Sequence, residues 1–176
     1  KVAINGFGRI GKQFFLACME KKVPWEFIIN DKAEAEYIAY TIQHDSVYPA
    51  PKERIAFHKG ELHFGKRKIK LFNQQNPEKL PWKSEKVDLV VECTGIFTER
   101  QAASKHLKAG AKKVLISAPA KNHDITIIPG VNPSLLKKEH IIISAGSCTT
   151  NCVSPLVKVL HDTYGIKSAF FITTHA

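Results

Sequence analysis

The sequence predicts a doubly wound, mostly parallel α/β sheet, followed by the first helix and strand of a second, α+β region. Three observations carry this expectation. Short apolar runs alternate with helix-patterned segments as far as about residue 146, a glycine turn at Gly6 to Gly11 joins the first run to the first helix, and an amphipathic helix opens at Cys148 after the last run. Continuous apolar runs suit strands buried on both faces, and their alternation with helices suits crossover connections.

The elements follow in order. Val2 to Ile4, the glycine turn, a helix ending near Lys22 and the run Phe27 to Ile29 make a βαβ unit. A second helix is expected from Ala33 to Gln43. Residues 45 to 82 are less regular, because Pro49, Pro51, Pro77 and Pro81 interrupt short strands, with a hairpin across the basic stretch Lys66 to Lys70. Val87 to Val91, Val114 to Ile116 and Ile141 to Ile143 read as buried parallel strands, and Glu99 to Ala109 as a helix closed by Gly110. Beyond them Val153, Leu156, Val157 and Leu160 recur at helical spacing; Pro155 falls in an early turn where a missing N–H is tolerated, and Gly165 stops the run. Ala169 to Thr174 is strand-like and apolar, and stops at His175-Ala176 without a cap, turn or partner. Such a strand needs a second sheet to cover it, and Lys1 already stands beside a strand, so further chain is expected at both ends. The expected division is 1–147 for the sheet domain and 148–176 for the truncated start of a second one.

At 176 residues and 44% hydrophobic, the chain can bury one core and begin another. It has neither the roughly 18 consecutive apolar residues of a membrane span nor the apolar core of a signal peptide, so a soluble cytoplasmic protein without membrane partners is expected. Four cysteines, Cys18, Cys93, Cys148 and Cys152, make no disulfide framework, and no CxxC pair or Cys/His cluster suggests a metal. The formal charge of +10 is spread along the chain. Basic and aromatic residues do not interleave as on a single-strand platform, so nucleic acid is not the favoured partner. Phosphorylated small molecules suit the sign equally well, as does a basic solvated surface.

Gly6-Phe7-Gly8-Arg9-Ile10-Gly11 matches G-x-G-x-x-G in the strand-to-helix context the motif requires. One glycine makes the turn, one lets the backbone approach a pyrophosphate at the helix start, and one allows close helix–strand packing. Asp31 follows the second strand, where a carboxylate holds ribose hydroxyls and repels a 2′-phosphate. NAD is therefore expected rather than NADP, although Lys32 next door could pair with the extra phosphate. Thr94-Gly95 and Ser117-Ala118-Pro119 stand at carboxyl ends of strands, where ligands of open α/β sheets bind. Cys148 lies where a glycine-bearing loop becomes a helix, and free N–H groups there stabilise anions, so it is the candidate nucleophile. Cys152, one turn further on, reads as structural.

With Gly6 to Gly11, Asn30-Asp31, Thr94-Gly95-Ile96-Phe97-Thr98, Ser117-Ala118-Pro119 and Ser147-Cys148-Thr149-Thr150-Asn151-Cys152 in order, the chain resembles the phosphorylating glyceraldehyde-3-phosphate dehydrogenases over all 176 residues, corresponding to about the first half of a family chain. The hexapeptide is highly specific to that family and to its near relative, erythrose-4-phosphate dehydrogenase. The resemblance implies a Rossmann domain binding NAD through Gly6, Phe7, Gly8, Arg9, Ile10, Gly11, Asp31, Gln75, Thr94, Gly95 and Ser117, with Gln75 at the adenine end and Ser117 toward the nicotinamide. It implies Cys148 as nucleophile, His175 as its activating base, and Ser147 and Thr149 as contacts for substrate or inorganic phosphate. A hemithioacetal on Cys148 would lose hydride to NAD, and phosphate would cleave the thioester to an acyl phosphate. A homotetramer in the full-length protein is implied as well. The family usually has Ser-Asn-Ala where this chain has Ser144-Ala145-Gly146, an acidic-arginine pair at Gln74-Gln75, and serine at Cys93. Three functions remain open: the glycolytic triose phosphate enzyme, the tetrose phosphate enzyme with water as acyl acceptor, and a noncatalytic module binding NAD or nucleic acid. The 176-residue chain alone is expected to be inactive.

Overall fold

Strand β1 (Val2–Asn5) is buried at every residue because it lies between two parallel neighbours, β2 (Phe27–Asn30) and β6 (Leu89–Glu92). The computed structural model describes residues 1–58 and 61–175. Along the chain these strands are interleaved with α1 (Arg9–Glu20), α2 (Ala35–Gln43), β3 (Ile55–His58), β4 (Glu61–Phe64) and β5 (Arg67–Phe72). After β6 come α3 (Arg100–Lys108), β7 (Lys113–Ile116), β8 (Ile125–Thr126), β9 (Ile142–Ser144) and α4 (Cys148–Tyr164). Among the described residues nine strands form one sheet in the order β3-β4-β5-β2-β1-β6-β7-β9-β8.

The sheet is parallel from β5 to β8, and β3 and β4 add an antiparallel edge. Strand order reverses between β1 and β6, so the crevice for a ligand opens at the carboxyl ends of those two strands. The alternation of side chains is visible in the packing. Val2, Ile4, Ile29 and Val91 join the core with α1 and α2, whereas Ala3, Ile28 and Val90 face Trp82, Leu80 and Val87 on the other side. Phe15 of α1 anchors the first layer, meeting Phe7, Phe27 and Phe64 edge-on with ring centroids 5.7, 5.4 and 5.3 Å away.

The expected doubly wound sheet, the βαβ unit and the hairpin are present; Gly65 turns the hairpin at φ +56 between Phe64 and Arg67. Several boundaries move for local reasons. The first helix ends at Glu20 because Lys22 takes a left-handed conformation, φ +52. Helix α2 begins at Ala35, since the Asp31 carboxylate accepts the Ala33 N–H and holds a turn there. Left-handed Lys86 and the Val87 N–H bond to the Trp82 carbonyl delay β6 to Leu89. The short edge strand β8 was not expected.

Two expectations fail in the last region. Ala169 to Thr174 forms no strand, and Phe170 is 89% exposed: among the described residues no strand pairs with it, and a strand without a ladder is not stable. Cys152, read as structural, is exposed: every residue of α4 is at least partly exposed, and among the described residues nothing buries the apolar stripe. Ala176 lies outside the described residues. No helix of the described chain is long and apolar enough to cross a membrane.

Candidate active site

The three glycines after β1 face three different surroundings. Gly6 sits at φ +88, and a Cβ there would come within 2.8 Å of both the Thr94 amide nitrogen and its methyl group. A Cβ on Gly11 would lie 2.2 Å from the Gly6 carbonyl oxygen, so α1 packs on the turn at backbone distance. A Cβ on Gly8 meets nothing within 4 Å. Gly8 is the N-cap of α1, no described side chain caps it, and no acid stands in the first turn. Exposed Gly8, Arg9 and Ile10 therefore present free main-chain N–H groups to an anion at the switch point.

Asp31 lies beside this turn. Its carboxylate accepts the N–H of buried Phe7 at 2.5 Å and that of Ala33 at 2.8 Å. Lys32 is exposed. Gln75 is exposed in the loop after β5, and its neighbour Gln74 is clamped by Asn30, which accepts the Gln74 N–H and donates to its carbonyl, both at 2.9 Å.

On the other side of the crevice, Thr94 is held by Glu92, whose Oε1 accepts the Thr94 N–H at 2.7 Å and its hydroxyl. Gly95 follows at φ +73 and is exposed. The Ser117 hydroxyl donates to the Glu92 main-chain carbonyl at 3.0 Å, which ties the end of β7 to that of β6. Burial pushes the half-buried Cys93 thiol up to about 11, against a smaller opposing effect of a Ser117 hydrogen bond. Beneath these loops lies a buried group of Asn5, Asn30, Glu92, His106 and Trp82, which sequence reasoning missed. The available signal was the acidic residue closing an otherwise apolar strand.

At the third corner, the Ser147 hydroxyl caps α4 by accepting the Thr150 N–H at 2.9 Å. Cys148 is the first helical residue and is exposed. Asn151 donates to the Ala145 and Ser147 carbonyls at 2.8 and 2.9 Å, fixing the loop that enters the helix. The Nε2 atom of His175 lies 3.5 Å from the Thr149 hydroxyl and 3.0 Å from that of Thr173, so the imidazole reaches the first turn of α4. Its hydrogen bonds go to these threonines, not to the thiol.

The residues present fit a dinucleotide. Open space over Gly8, an uncapped helix start and a carboxylate beside the turn suit a pyrophosphate and an adjoining ribose diol. An exposed cysteine at a capped helix start, one residue before a threonine whose hydroxyl an imidazole reaches, suits nucleophilic addition to a carbonyl.

Comparison with known proteins points the same way. Residues 1–100 match the family model described as glyceraldehyde 3-phosphate dehydrogenase, NAD binding domain, and residues 147–176 match the C-terminal domain model of that family. The whole chain is similar to the glyceraldehyde-3-phosphate dehydrogenases of Thermotoga maritima, 46% identical over 178 residues and covering 54% of that protein, and of Geobacillus stearothermophilus, 44% identical over 177 residues and covering 53%. It is 42% identical to glyceraldehyde-3-phosphate dehydrogenase 2 of Bacillus subtilis, covering 52% of it. The chain spans about half the length of the curated relatives it matches.

Proposed function

Because the chain belongs to the glyceraldehyde 3-phosphate dehydrogenase family and carries that family's NAD-binding domain, we propose that the protein oxidises glyceraldehyde 3-phosphate with NAD and inorganic phosphate to 1,3-bisphosphoglycerate, through a thioester on Cys148. The observation that carries the proposal is an exposed thiol on the first residue of a serine-capped helix, on the same chain as a glycine turn with open space over Gly8.

In this proposal the Cys148 thiolate adds to the aldehyde carbon, and N–H groups of the first turn of α4 stabilise the oxyanion. His175 takes the hydroxyl proton of the resulting hemithioacetal on Nε2. When bound, NAD supplies the hydride acceptor that makes the adduct a thioester. Phosphate held near Ser147 and Thr149 then attacks the acyl carbon, and the thiolate leaves. Gly6 to Gly11 and Asp31 hold the pyrophosphate and adenosine ribose, Gln75 flanks the adenine, and Thr94, Gly95 and Ser117 line the way to the nicotinamide.

The proposal assigns residues 1–147 to the cofactor domain and 148–176 to the start of the catalytic one. All nine described strands precede residue 147, and α4, with no buried residue, follows it. A cytoplasmic homotetramer, and a 176-residue chain inactive by itself, belong to the same proposal.

The test is NADH formation by the full-length protein with glyceraldehyde 3-phosphate and phosphate, compared with erythrose 4-phosphate, beside a Cys148→Ser control. Phosphate-dependent turnover on the triose, lost in the control, is the expected result. Preference for the tetrose, or turnover that survives the substitution, overturns the proposal.

A further inference from the structure

The polar groups buried under the glycine turn form a run of hydrogen bonds whose direction is fixed from both ends. At one end, Gln74 offers main-chain groups that cannot exchange roles. Asn30 must therefore turn Oδ1 to the Gln74 N–H and Nδ2 to its carbonyl. That Nδ2 also donates to Asn5 Oδ1 at 2.7 Å, which leaves Asn5 Nδ2 to donate to Glu92 Oε2 at 2.6 Å. At the other end, the Trp82 indole N–H can only donate, and it donates to His106 Nδ1 at 3.0 Å. The accepting nitrogen carries no proton, so the ring proton is on Nε2, 2.9 Å from Glu92 Oε2. The Ile96 N–H donates to the Thr94 oxygen at 3.1 Å, and the Thr94 hydroxyl hydrogen goes to Glu92 Oε1, which also accepts the Thr94 N–H.

Every neighbour donates and Glu92 only accepts. Glu92 is 1% exposed, and Asn5, Asn30, His106 and Trp82 are buried with it. Asn5 and Glu92 are the last residues of β1 and β6, the strands that flank the switch point, and Asn30 is the last residue of β2, which pairs with β1. Thr94 in turn sits against Gly6 so closely that a Cβ would not fit between them.

We propose that Glu92 is a positioning residue of the cofactor site. Its carboxylate presses Thr94 onto the glycine turn and, through Asn5 and Asn30, ties the Gln74-Gln75 loop to the same anchor. One buried acceptor thereby sets the pyrophosphate turn, the adenine-side loop and the nicotinamide-side loop before the dinucleotide arrives. This rests on the NAD reading given above.

The test uses the full-length protein and Glu92→Gln, which keeps the shape but places an amide NH₂ opposite either Thr94 or the Asn5 and His106 donors. NAD affinity measured by calorimetry on folded protein is expected to fall at least about tenfold, as when a buried donor loses its acceptor. A stability loss with unchanged NAD affinity makes the role merely structural and overturns the proposal. A second measurement needs no variant: in the ligand-free wild type the Thr94 amide is expected to be protected from hydrogen exchange already. Fast exchange that slows only when NAD is added also overturns it. A wild type that does not bind NAD removes the cofactor reading itself, whereas normal wild-type binding with an unaffected Glu92→Gln variant removes only this proposal.

Discussion

The same substitution at two glycines three residues apart is predicted to have opposite signatures. In Gly11→Ala the new methyl lies 2.2 Å from the Gly6 carbonyl oxygen, well inside the 3.4 Å at which ordinary contact begins, so α1 must lift from the turn that follows β1. Phe15 and Cys18 of α1 are buried in that layer. Overpacking typically costs about 1–3 kcal/mol, and a backbone oxygen cannot swing aside, so a loss of about 3 kcal/mol is expected. In Gly8→Ala the methyl meets nothing within 4 Å and φ is −75. The entropy removed from the unfolded chain, about 0.4–1 kcal/mol, is offset by a comparable loss of N-cap preference, leaving a net change within about 0.5 kcal/mol. The space the methyl fills is where a pyrophosphate would meet the backbone, so NAD affinity should fall at least about tenfold, or about 1.4 kcal/mol. Denaturant unfolding and NAD calorimetry on both variants are the assays. A Gly8→Ala protein that unfolds as early as Gly11→Ala, or that binds NAD like the wild type, contradicts these two roles.

Two further predictions concern positions where the chain departs from the family pattern. Gly146 is left-handed at φ +71, and a Cβ there would lie 2.8 Å from Ile128 Cδ1; Gly146→Ala is expected to cost about 1–2 kcal/mol in chemical denaturation, and an unchanged midpoint contradicts this. Burial raises the Cys93 thiol from 9.0 to about 11, so the folded state retains a proton that the unfolded state loses. The stabilisation is complete below pH 9 and lost as pH rises through about 11, about 2–3 kcal/mol in all. The wild type should lose that much more stability than Cys93→Ser over this window, and parallel pH profiles for the two proteins contradict the assignment.

The glycine turn and the place of Asp31 beside it were legible because they rest on local geometry: a turn, a helix start and one carboxylate a strand away. The entry to α4 was legible for the same reason, since Ser147 caps the helix it opens. The Glu92 group was not, because its members come from five places along the chain and no spacing pattern links Asn5 to His106 or Trp82 to Glu92. A glutamate closing an apolar run is a signal, but it also fits a strand leaving the core, and the fold shows that Glu92 turns inward. Cys152 was read as structural from its place one turn into the helix, and the strand at Ala169 to Thr174 was expected from its apolar run. Apolar patterning says that a segment wants a partner, whereas burial and ladder pairing require the partner itself.

The proposed function stands or falls with the acyl group on Cys148. Mixing the full-length protein with NAD and glyceraldehyde 3-phosphate, without inorganic phosphate, and mapping the adduct by mass spectrometry tests it most directly. A phosphoglyceroyl thioester is expected on the peptide containing Cys148, discharged when phosphate is added. NADH formed with that peptide unmodified, or with the acyl group on another residue, contradicts it.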